Sequence, residues 1–159
     1  MDLRRLRAGE WITALGGVAL IVALFLPWYD EGAGSPTGWE SLAILDVILA
    51  IVGVAAVLVV VVTAVQRSPA VPLAMEALVC LAGFIALVLV VVRTANLPGD
   101  ADGREIGLWL GLASVLVITA GSAIAMRDER LSTEGRQVDL TGRPTPAQPE
   151  VELISPPAP

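Results

Sequence analysis

Histidine and lysine are absent from this chain of 159 residues, and cysteine occurs once, at Cys80. Without histidine the chain lacks the side chain that most often moves protons near neutral pH and most often ligates metals. A single cysteine forms no internal disulfide, so cysteine usage does not identify a redox compartment. All ten basic residues are arginine, and sixteen acids bring the formal net charge to -6. A nucleic-acid-binding surface needs clustered positive charge to displace counterions, and this composition excludes one. Aromatic residues make up only 4% and charged residues 16%. The sequence carries no GxSxG elbow, no HExxH and no P-loop, so the common hydrolase, metalloprotease and nucleotide-binding chemistries have no foothold. We therefore expect no enzymatic activity and no cofactor.

What the chain has in abundance is apolar sequence: 55% of residues are hydrophobic and the mean hydropathy is +0.76. Four long apolar runs occur, at residues 11–29, 41–65, 73–92 and 106–126. A helix crossing a ~30 Å hydrocarbon core needs ~20 such residues. VLVVVV at residues 57–62 has the β-branched content of a buried strand. Its surroundings decide otherwise, because strands of that kind run ~4–8 residues and this run is far longer. In lipid, moreover, a lone strand leaves its backbone unsatisfied.

The first run ends in LPWYDEGAG, residues 26–34. A secretory signal has an apolar region of ~7–15 residues followed by small residues at a cleavage site. Pro27, Trp28 and Tyr29 make a poor cleavage site and a good interfacial belt. We read the run as a retained span, and the arginine pair at Arg4 and Arg5 as a basic arm rather than a twin-arginine signal.

Short links at residues 30–40, 66–72 and 93–105 make successive helices antiparallel neighbours. The expected architecture is all-α: an integral membrane four-helix bundle, up-down-up-down. It comprises a basic N-terminal arm over residues 1–10, a transmembrane domain over 11–128 and a Pro-rich disordered tail over 129–159. Arg4, Arg5, Arg7, Arg67, Arg127 and Arg130 fall on one side and only Arg93 and Arg104 on the other. The positive-inside rule then puts both termini in the cytoplasm, with the protein in the cell membrane.

RAGEW, LFLPWY, GWESLAILDVILA, GLWLGLASVLV and AMRDER occur in this order over roughly residues 7–130. In this the chain resembles a family of small, uncharacterised four-pass membrane proteins from high-GC bacteria. The resemblance implies the fold and no activity, since that group has none established.

Polar residues within the runs are the candidate functional groups, because an intramembrane charge costs roughly 2.5–3.5 kcal/mol on insertion scales. Asp46 and Glu76 are two such acids. Asp46 and Arg93 are expected at similar depth, near enough for an ion pair. The competing reading is that each charge reaches the interface alone. Gly107 and Gly111 form a GxxxG for helix packing, within one bundle or between two copies. Trp11, Trp28, Tyr29, Trp39 and Trp109 are read as interfacial anchors. Ser114, Thr119 and Ser122 have no base beside them and are expected to bond back to their own helix. GDADGRE at residues 99–105 lacks the full calcium-loop pattern and reads as a solvated turn. In the tail, Pro146-Ala-Gln-Pro149 is a PxxP that a cytoplasmic partner could bind.

Together these features suggest a non-enzymatic component of the membrane that works through the lipid bilayer, self-association or another membrane protein. The alternative is a small transporter or channel subunit using Asp46 and Glu76.

Overall fold

A computed structural model describes residues 8–32, 34–65, 70–97, 99 and 101–130. Most of the basic arm, the loop containing Arg67 and the tail from residue 131, with its PxxP, lie outside the described residues. Helix dominates: α1 (Ala8–Ala23), the short α2 (Gly38–Ser41), α3 (Ile44–Val65), α4 (Ala70–Ala95) and α5 (Ile106–Arg130). Between them lie two-residue strands, β1 (Tyr29–Asp30) and β2 (Gly103–Arg104). The β-branched run at 57–62 is helical within α3, as length requires. Pro72 falls in the first turn of α4, where its missing N–H costs no helical bond.

The apolar runs outlast the helices at two boundaries. The first run was expected to be helical through residue 29, but α1 stops at Ala23. The chain then tightens, with Phe25 N–H donating to the Val22 carbonyl at 3.0 Å and Leu26 N–H to Ala23 at 3.1 Å. Pro27 explains the exit, because it has no N–H to donate and disfavours helical backbone at Leu26. It forms an isolated β-bridge with Thr37, and Tyr29 and Asp30 then pair antiparallel with Arg104 and Gly103. The second run breaks between α2 and α3, where Ala43 adopts φ 52°, a left-handed conformation uncommon without glycine.

At the start of α2, the Thr37 N–H and hydroxyl both donate to Glu40 Oε2, at 2.8 and 2.9 Å. The backbone bond first, and the hydroxyl second, hold the Glu40 carboxyl below its ordinary value of 4.5. A lowered folded pKa means that the cap's contribution is present above that ordinary value and is lost as pH falls through the folded one. Amide-exchange protection at Ser41, whose N–H bonds to Thr37 at 3.1 Å, should weaken on acidification. In Glu40→Gln it should start lower and show no such pH step.

The long helices close into a ring in which α1 packs on α3 and α5, and α4 on the same two. Glycine sets the approach. A Cβ on Gly17 would lie 2.6 Å from the Gly53 carbonyl oxygen, and one on Gly9 2.5 Å from the Ala125 nitrogen. Gly16 meets Ile118 and Gly121 meets Thr13, so α5 runs antiparallel to α1. Large apolar residues point outward from the whole ring: Leu15 and Val18 on α1, Ile51 and Leu58 on α3, Leu81 and Phe84 on α4, Leu116 and Ile124 on α5.

Candidate functional site

Two polar ends, separated by an apolar waist, are the parts of this fold that can bear a function. One is the ribbon end. There Trp28 N–H donates to Pro36, Glu105 N–H to Trp28, and Gly107 N–H to Pro27, at 3.0, 3.0 and 2.8 Å. These bonds fold the chain after α1 back over the helix ends. Trp28 is fully buried, its indole N–H donating to the Ala23 carbonyl at 2.8 Å. Its ring lies against Gly107 and Gly111, where an added Cβ would come within 2.7 and 2.8 Å of ring carbons. The GxxxG of α5 thus serves packing inside one chain. Tyr29 is also fully buried, and Arg104 stands opposite it across the ribbon. Arg104 Nε donates to the Thr94 carbonyl at 2.7 Å, beside Arg93 in the last turn of α4. Burial raises the Tyr29 hydroxyl above its ordinary pKa, while the guanidiniums of Arg93 and Arg104 act against that rise.

At the other end, near the start of α1, the buried polar side chains among the described residues are Glu10, Thr13, Thr63, Glu76 and Ser122. Helix register brings them to similar levels. Thr13 packs on Gly121, and Gly17 packs on Ala56. Seven residues from that second contact, about 10 Å along each axis, lie Glu10 on α1 and Thr63 on α3. Cys80 approaches the Thr119 carbonyl at 3.9 Å, and about one turn further along come Glu76 and Ser122. Thr13 and Ser122 bond back to the Gly9 and Ile118 carbonyls, at 2.9 and 2.8 Å. Glu10 escaped the reading of the sequence because it was assigned to the basic arm. The signal was present, since Glu10, Thr13, Gly17 and Leu20 recur at helical spacing and all four are buried.

Asp46 and Arg93 are not brought into an ion pair. The break at Ala43 starts α3 at Ile44, which puts Asp46 in the first turn, where unpaired N–H groups and the helix dipole favour a carboxylate. Its Oδ1 accepts from the Val47 N–H at 2.6 Å. Trp11, Trp39 and Trp109 are outwardly exposed, with Trp39 tilted against Phe25 at 5.9 Å between ring centroids. Trp28 and Tyr29, expected as interfacial anchors, are instead core residues. Ser114 and Thr119 bond back to Leu110 and Val115, at 2.7 and 2.8 Å.

Between the ends, Leu20, Leu24, Leu49, Val59, Val90 and Ile118 are fully buried and fill the waist. A groove of about 450 Å³ lies outside the ring, along Val47, Ile51, Val54 and Leu58 of α3 under Trp39. Among the described residues no group of three or more His, Cys, Asp or Glu converges to hold a metal ion. The chain matches no family model, no curated protein and no solved structure.

Proposed function

We propose that this chain is a four-span integral membrane protein, an up-down-up-down bundle with cytoplasmic termini, acting as a non-enzymatic structural or interaction component of the cell membrane. Three helices are long and apolar enough to cross a membrane: α3, α4 from Ala74 and α5 to Arg127. The observation that carries the reading is the outward apolar surface on all four long helices, which is as apolar as the packed interior and is paired with close glycine contacts and buried polar groups inside the ring. That arrangement suits lipid, because a soluble ring would turn these faces inward. As the fourth span, α1 covers about 24 Å, and the turn at residues 24–26 extends it. A modest mismatch of this size is met by bilayer thinning or by flanking anchors such as Trp11.

The orientation rests on the six arginines flanking the terminal end. The resemblance to four-pass membrane proteins of high-GC bacteria agrees with this reading and adds no role. Partners of the proposed component are the lipid bilayer, a second copy or another membrane protein, and a cytoplasmic partner for the tail. The filled apolar waist favours this reading over a transporter or channel subunit, whose ions would need a path between Asp46 and Glu76. Ion flux in proteoliposomes that is lost in Asp46→Asn or Glu76→Gln would reverse that preference.

Cysteine labelling tests the topology. In a Cys80→Ser background, Gly34→Cys and Asp102→Cys should react with an impermeant maleimide in intact cells. Ser68→Cys and Ser132→Cys should react only after lysis. Labelling of position 132 in intact cells overturns the orientation, and a mature chain beginning after Tyr29 overturns the first span.

A further inference from the structure

The Tyr29 hydroxyl is buried and has no hydrogen-bond partner among the described residues. Buried donors are nearly always paired, so an orphan of this kind calls for an acceptor from elsewhere. Its surroundings specify the charge of that acceptor. Arg104 is its cross-strand neighbour, and such pairs project from the same face of a ribbon. Arg104 spends its Nε on the Thr94 carbonyl, which ties it to the end of α4 beside Arg93, and its terminal N–H groups have no partner among the described residues. Of the acids in and beside the ribbon, Asp30 and Glu105 fall on the other face and Glu31 and Asp102 flank the pair, while the charges that act on the Tyr29 hydroxyl are those of Arg93 and Arg104. Side chains alternate along a strand, so Asp30 projects away from Tyr29, and Glu105 away from Arg104. Asp30 Oδ1 is engaged by the Gly32 N–H at 3.1 Å.

We propose that Tyr29, Arg93 and Arg104 form a binding site for a phosphate group at the ribbon end. Guanidinium pairs suit phosphate because their planar forks donate parallel hydrogen bonds to two oxygens. The phenolic O–H supplies a further donor from below, at a fixed position in the core. Two sources present the same chemistry: the headgroup of a phospholipid in the leaflet level with the ribbon, and inorganic phosphate from solution. The site stands on the ribbon's geometry and does not depend on which way the chain crosses the bilayer.

Tyr29→Phe is the informative variant, because it removes only the unpartnered hydroxyl and keeps the ring. In phosphate-free detergent its thermal unfolding should match or exceed that of the parent. The full chain is then titrated with phosphatidylglycerol, with diacylglycerol of the same acyl chains, and with inorganic phosphate, with retention read by native mass spectrometry. Binding of phosphatidylglycerol, weakened about tenfold in both Tyr29→Phe and Arg93→Gln as befits loss of a charge-assisted hydrogen bond, supports the site and names the headgroup. Diacylglycerol should not compete. The same losses for inorganic phosphate support the site with a soluble anion as its ligand. Equal binding by the parent and both variants, or no binding of either phosphate, overturns the proposal.

Discussion

Trp28→Ala should cost about 3–5 kcal/mol of unfolding free energy, the range for truncating a large buried aromatic. Trp28 closes the ribbon end: it is fully buried, and its indole N–H donates to the Ala23 carbonyl at 2.8 Å where α1 ends. Truncation empties the slot that Gly107 and Gly111 leave in α5 for its ring. That slot is lined by backbone and cannot collapse without moving α5 or the ribbon, so the cavity cost falls at the high end. Trp28→Phe restores much of the volume but not the donor, and should lose less. Trp109 lies on α5 between Gly107 and Gly111 and is 51% exposed, so Trp109→Ala should stay within about 0.5 kcal/mol. Reversible unfolding in mixed micelles checks the series. A loss at Trp28 no larger than that at Trp109 would mean that the ribbon end does not fold as described.

Gly17→Leu should part α1 from α3 and abolish the folded bundle, with Gly17→Ala costing about 1–3 kcal/mol by overpacking. Here backbone meets backbone: a Cβ on Gly17 would stand 2.6 Å from the Gly53 carbonyl oxygen, and one on Gly53 3.1 Å from the Gly17 oxygen. A crowded side chain can change rotamer, whereas a helical carbonyl moves only if the whole helix does. Close approach is also what small residues supply in lipid, where apolar side chains gain little by leaving the acyl chains. Gly34, with nothing within 4 Å of an added Cβ, is the control, and Gly34→Ala should be neutral within about 0.5 kcal/mol. Thermal stability in detergent reads both, and a folded Gly17→Leu of parental stability would contradict the α1–α3 contact.

The three longest apolar runs were legible as helices because nothing in them competes: no proline falls inside, and their length exceeds what a strand uses. Their ends were less legible. The belt reading of Trp28 and Tyr29 used the residue types correctly, since these aromatics do favour interfaces, but it had no means of seeing a slot prepared by Gly107 and Gly111. Asp46 and Arg93 were matched on depth alone. The break at Ala43, which no glycine or proline announces, moved Asp46 into a helix's first turn and gave its carboxylate a backbone partner. Glu10 fell on the wrong side of a boundary drawn where the charges stop, whereas the helix begins two residues earlier, at Ala8.

By itself the sequence determined the helical class, the lack of any histidine chemistry, and the apolar faces of α3, α4 and α5, because composition and run length act locally and need no partner. Only the tertiary structure decided that Trp28 and Tyr29 turn inward, that the GxxxG of α5 receives a ring, that a two-residue ribbon joins Tyr29 to Arg104, and that Glu10 and Glu76 are buried at one end. Each of these depends on which surfaces meet across the helix ring. A strand pair of two residues carries no periodicity, and a glycine reveals the space it leaves only when a neighbour fills it.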